Sequence, residues 1–202
     1  MGSTVDDDVS RAVRALKAGL LVVFPTDTVY GLAARHDDPL AVAKLYEAKG
    51  RDDRKPLPIL VSGLEQAARI GRLGAAAEKL ARAFWPGPLT IVTDRAPSFS
   101  SDAMAGEQSV GLRMPNEPLA LAVIEGAGGV LAVSSANRSG GADPRTVDAA
   151  RKQLGEAVDV YLDGGPAPGD RGSTVVDARG NGFRVIRAGP ISEEQIAAVL
   201  DG

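Results

Sequence analysis

The chain has 202 residues, of which 44% are hydrophobic and 24% charged, and its net charge is −3. That length closes one sizeable core and is short for two, so a single domain over residues 1–202 is expected. There is no cysteine and one histidine, His36, which excludes disulfides, thiolate metal sites, cysteine nucleophiles and centres that need several imidazoles.

The acidic balance argues against a dedicated nucleic-acid binder, which needs many Lys and Arg contacts to phosphate. No apolar run approaches the roughly 18 residues of a membrane span, and "MGSTVDDDVS" is acidic where a targeting segment is basic. A soluble, cytoplasmic protein is expected.

In chain order, "DDDVSRAVRALKAG" places Val9, Ala12, Val13 and Leu16 at helical spacing, with Gly19 as its stop. Residues 20–24 read as a buried strand that runs into the polar turn "PTDTVYG". Asp38 caps a second helix, Pro39 opens it and Gly50 ends it. "PLPILVS" is a strand, Ser62 and Glu65 are spaced as a capping box for a short helix, and "AAAEKLARAF" is a helix stopped by "WPGP". "LTIVT" and "SVGLR" read as strands, "EPLALAVIEGAG" as a helix, and "GVLAVSS" as an apolar strand entering "SSANRSGG". Thr146 caps "VDAARKQLG"; "VDVYL", "STVVDA" and "FRVIR" are short strands; Ser192 and Gln195 box the last helix. About seven strands and six helices in mixed order predict one α/β domain, and the hairpin pattern of "STVVDARGNGFRVIR" makes the sheet mixed.

Three hydroxyl-rich loops, "PTDTVYG", "SSANRSGG" and "GDRGST", adjoin strand ends, where open α/β sheets place ligands. Turn chemistry is the plainer explanation of the same residues. Cations gather at similar places: Lys49, Arg51, Arg54 and Lys55 around one helix end, and Arg113 and Arg187 at strand ends. They suit carboxylate or phosphate binding, against helix-dipole neutralisation for Lys49 and Arg51 and surface ion pairs for Arg113 and Arg187. Neither a P-loop nor a dinucleotide fingerprint is present, and no base stands ready for a serine nucleophile. His36, alone in a polar loop, reads as solvated. Proximity and charge stabilisation remain, as in phosphoryl or nucleotidyl transfer.

The motifs "PTDTVYGL", "AKGR" with "KPL", "FWPGPLT", "VGLRMP", "SSANRSG", "GST" with "VVD", and "RVIRAG" occur in the order of the threonylcarbamoyl-AMP synthase (YrdC-like) family, over about residues 9–190. The chain resembles the short, single-domain form. The resemblance implies a YrdC-like twisted mixed sheet with surrounding helices and a deep electropositive cavity. It implies synthesis of L-threonylcarbamoyladenylate and pyrophosphate from L-threonine, bicarbonate or CO2, and ATP, for threonylcarbamoyladenosine formation in tRNA. A hand-off to the tRNA threonylcarbamoyl transferase is implied, with weak or no direct tRNA binding.

By resemblance, Thr28, Arg113, Ser135 and Ser173 bind threonine. Lys49 and Arg51 meet the nucleotide phosphates as the catalytic pair, and Lys55, Ser109, Asn137, Thr146 and Arg187 contact ATP. Mg2+ is expected to arrive with ATP; its protein ligands are unknown. Asp27 is the one acidic residue suspected there, with capping of its own turn as the alternative. Related hydrogenase-maturation carbamoyltransferases carry such domains inside larger proteins with cysteine motifs, and the absence of cysteine speaks against that reading.

Overall fold

A computed structural model describes residues 4–52, 54–180 and 182–202. The amphipathic helix α1 (Thr4–Lys17) ends before Gly19, whose φ of +72° suits a residue without a Cβ. Strands β1 (Val22–Phe24) and β2 (Gly31–Ala34) pair antiparallel around the "PTDT" turn. Helix α2 (Pro39–Lys49) opens at Pro39, and Asp38 accepts the amides of Leu40 and Ala41. It closes on Gly50 in the left-handed region. There follow β3 (Ile59–Val61), α3 (Leu64–Ile70), β4 (Gly71–Arg72), α4 (Ala75–Phe84), β5 (Leu89–Arg95) and β6 (Ser109–Arg113). The chain continues through α5 (Pro118–Gly126), β7 (Val130–Ser135), α6 (Val147–Leu154), β8 (Val160–Tyr161), β9 (Thr174–Asp177), β10 (Arg184–Arg187) and α7 (Glu193–Asp201).

Ten strands form one mixed sheet in the order β10-β9-β5-β6-β3-β7-β2-β1-β8, with β4 beside β5. The predicted hairpin is present as the antiparallel pair β9–β10; Asn181, in its turn, lies outside the described residues. Sequence reading missed β2 and β4. "GLAA" has no β-branched residue, and its strand character comes from lying between β1 and β7. The capping box at Ser62 is also corrected. Ser62 donates its amide to the Gly129 carbonyl as β3 ends, its hydroxyl is buried without a partner, and Gly63 takes the cap position.

Coverage of the sheet decides where a site can form. One face packs Leu21, Leu32, Ile59, Ile91, Leu112 and Val176 against α2, α3, α4, α6 and α7. On the other, α1 and α5 cover only the half made by β1, β2, β3 and β7, burying Phe24, Ala33, Leu60 and Val133. Strands covered on both faces are apolar throughout: β1 is VVF and β3 is ILV. Strands β6 and β9 alternate buried with half-buried residues because no helix covers their second face. Strand register carries this open face across the sheet: Gly31 lies opposite Ser135, Leu60 opposite Arg113, and Thr90 opposite Val175.

Candidate active site

Where the covered half of that face gives way to the open half, a cavity of about 140 Å³ opens. Each wall comes from a strand end or the loop after it. The β1–β2 turn supplies Thr26 and Thr28, β5 supplies Thr90, β6 supplies Arg113, β7 supplies Ser135, and the loop before β9 supplies Ser173. Arg51, Asp143 and Arg187 add charged groups to the lining.

Arg113 is the anchor. Its Nε donates to the Gly87 carbonyl at 3.0 Å, Nη1 to the Thr28 hydroxyl at 3.0 Å, and Nη2 to Asp27 Oδ1 at 2.6 Å. A guanidinium has five N–H donors, so one on each terminal nitrogen stays uncommitted and can serve an anion in the cavity. Burial pushes the Arg113 pKa down and the Asp27 carboxylate pulls it back up; the side chain stays cationic. The surface ion pair considered for Arg113 is therefore a buried one.

The turn below it is closed by Thr26, whose hydroxyl donates to the Val29 carbonyl at 2.6 Å and accepts the Thr28 amide at 3.2 Å. With that proton committed, the 2.9 Å contact between the two hydroxyls is donated by Thr28. Thr28 thus presents its remaining acceptor capacity beside Arg113. Asp27 does not cap this turn. Besides Arg113, Oδ1 accepts the Asn116 amide at 3.0 Å.

Across the cavity, the Ser173 and Thr90 hydroxyls are 2.7 Å apart. Arg187 donates Nε and Nη2 to the Ser173 carbonyl at 3.1 and 2.9 Å, so it is held by backbone and not by the ion pair considered from sequence. Gly172 makes room for it: a Cβ there would lie 3.0 Å from Arg187 Nη2. Ser135 donates its hydroxyl to Asn137 Oδ1 at 2.5 Å.

Lys49 lies behind this wall. Its ammonium donates to the carbonyls of Ser135 and Asn137 at 2.5 and 2.6 Å and approaches Asn137 Oδ1 at 3.4 Å. It does not neutralise its own helix end but ties α2 to the loop after β7. Burial, helped by nearby Arg51 and opposed by Asp143, lowers its pKa to about 8. Arg51 reaches the cavity, with Nη2 on the Pro56 carbonyl at 3.2 Å and Nε buried without a partner.

The cavity thus brings together Thr28, Arg51, Arg113, Ser135, Ser173 and Arg187, with Lys49 and Asn137 directly behind. Three other assignments fall outside it. Lys55 is exposed in the loop before β3. Ser109 shares the open face with Arg113 but begins β6 opposite Asp94, about 13 Å along the strand. Thr146 spends its hydroxyl on the Ala149 amide as the cap of α6. His36 is not solvated: it is half-buried, its ring centroid is 5.1 Å from that of Phe99, and burial lowers its pKa.

Sequence reasoning missed Thr26, Thr90 and Asp143. Thr90 carries a signal, a hydroxyl at an alternate position of an apolar strand; Asp143, ahead of Pro144, stands in no motif that marks it. Among the described residues no group of three or more His, Cys, Asp or Glu side chains could hold a metal, and no helix is long and apolar enough to cross a membrane.

A family model named Sua5/YciO/YrdC, described as telomere recombination, matches residues 14–189. A putative threonylcarbamoyl-AMP synthase of Mycobacterium tuberculosis is 47% identical over 190 residues, covering 94% of this chain and 87% of the relative. The threonylcarbamoyl-AMP synthase of Bacillus subtilis is 37% identical over 200 residues, 98% of this chain and 58% of its own. Among solved structures, Pyrococcus abyssi Sua5 complexed with L-threonine superposes with a TM-score of 0.91 at 34% identity, over 95% of this chain and 56% of that one. With the mixed sheet and the arginine-and-hydroxyl cavity described above, these matches show that the chain belongs to the Sua5/YciO/YrdC family.

Proposed function

We infer that this chain is an L-threonylcarbamoyladenylate synthase, a nucleotidyltransferase that forms threonylcarbamoyl-AMP and pyrophosphate from L-threonine, bicarbonate or CO2, and ATP. One observation carries the reading: a buried arginine with two uncommitted donors faces a cavity lined by Thr28, Ser135 and Ser173. The names of the relatives and the threonine complex of Sua5 support it.

The chemistry needs no protein nucleophile. Arg113 takes the threonine carboxylate on its spare fork, and the three hydroxyls orient the amino acid. The threonine ammonium first loses a proton to solvent. The free amine's lone pair then bonds to the carbon of CO2, a C=O electron pair moves onto oxygen, and a second N–H proton passes to solvent, leaving a carbamate. A carbamate oxygen then attacks the α-phosphorus of ATP while the bond to the bridging oxygen breaks and pyrophosphate leaves. Arg51 and Arg187, with Lys49 behind them, supply the positive field for the departing charge.

Mg2+ accompanies ATP in this reading. The donor set makes no metal cage, since Asp27 is committed to Arg113 and Asp143 stands alone in the lining. The ion would be held by phosphates and water, as this cation commonly is. The product is a mixed anhydride, consumed by a transferase that passes the threonylcarbamoyl group to tRNA in the cytoplasm. Weak or no direct tRNA binding by this chain fits its net charge of −3.

Mass spectrometry of a reaction with labelled bicarbonate tests the reading. Threonylcarbamoyl-AMP carrying the label is expected. Formation of threonyl-AMP instead, without the label, would contradict it.

A further inference from the structure

The cations of the cavity differ in what balances them. Arg113 and Asp27 form the most buried ion pair among the described residues, with side chains 7% and 11% exposed. Such a pair adds little stability over apolar residues of the same volume. Asp27 does not build its turn, which Thr26 closes, and its Oδ2 is buried with no hydrogen-bond partner. Besides accepting the Asn116 amide, the carboxylate balances the charge of Arg113.

The other cations lack such a partner. No ion pair among the described residues includes Lys49, Arg51 or Arg187. Asp143, the one carboxylate in the cavity lining, accepts the Gly172 amide on Oδ2 at 3.2 Å. One end of the cavity is therefore a neutral pair; at the other, Arg51 and Arg187 share the lining with one carboxylate, and Lys49 lies behind the wall.

We propose that Asp27 is a specificity-determining residue that sorts anions along the cavity. It cancels the net field at Arg113 while leaving two N–H donors of that side chain uncommitted. That end then accepts the singly charged carboxylate of a zwitterionic amino acid, because the charge of Arg113 is balanced locally by Asp27. A phosphate group, carrying about −1.5 to −2 charges, is repelled by Asp27 and goes to the Arg51–Arg187 end. The sorting rests on the functional reading above and explains how one small basic cavity keeps two kinds of anion apart.

Calorimetry on the full chain tests it, with L-threonine titrated in the absence and presence of inorganic phosphate. In the wild type the threonine Kd is expected to be unchanged by phosphate. In Asp27→Asn, phosphate should compete and weaken threonine binding by at least about tenfold, the effect of an unopposed charge at contact distance. Asp27→Glu should restore the wild-type result, which a purely structural role for the side chain would not require. Displacement of threonine by phosphate in the wild type, or no competition in a folded Asp27→Asn, would overturn the proposal; the first result needs no variant. A wild type that binds no threonine would instead overturn the functional reading.

Discussion

Replacing Arg113 with lysine keeps a positive charge and removes the fork. Three of its donors hold Gly87, Thr28 and Asp27 in a geometry that an ammonium cannot reproduce. Arg113→Lys is expected to raise the KM for threonine by roughly 10- to 100-fold, the worth of a lost charge-assisted pair, with the ATP KM nearly unchanged. Steady-state kinetics with each substrate varied separate the two. Lys49 has a different dependence. With a pKa near 8 it loses its proton as the pH rises through that value, and with it the attraction for phosphate. The ATP KM should therefore climb above about pH 8, while the threonine KM follows it less. The hydroxyl-rich loops that hold Thr28, Ser135 and Ser173, and the strand-end Arg113, were legible as local patterns, whereas the selection of these four as a threonine site came from the family resemblance. Asp27 was misread because its partner stands 86 residues away, and nothing near it in the chain names Arg113.

Helix signals lie within a few residues of the structure they specify, so Asp38, Thr146 and the Ser192–Gln195 box were readable. Thr146→Ala should cost about 1 kcal/mol of stability, the usual worth of a cap, and leave ATP affinity unchanged. A denaturant midpoint and a nucleotide titration check both halves; a large loss of ATP affinity would return Thr146 to the site. Loop-on-loop packing has no such local signature. At Gly169 a Cβ would stand 2.4 Å from the Thr28 carbonyl oxygen and 2.8 Å from its Cα, both backbone atoms that cannot swing aside. Gly169→Ala should push the β1–β2 turn away from Arg113 and raise the threonine KM. An unchanged threonine KM would show that the loop yields without moving Thr28.

At the scale of the molecule, the site exists because two helices cover half of one sheet face and none covers the other half. Strands β6 and β9 were readable as strands, and a mixed sheet was expected from the β9–β10 hairpin. The strand order was not legible. Placing β6 beside β3, and β9 beside β5, depends on contacts between distant segments, and that order brings Arg113, Thr90 and Ser173 to one cavity. In the reaction proposed for this cavity, threonine is activated as its carbamate before ATP is cleaved. Pyrophosphate release with ATP and Mg2+, measured with L-threonine and bicarbonate added singly and together, tests this most directly. Release should require both; release at the same rate without threonine, or with bicarbonate and CO2 removed, would contradict it.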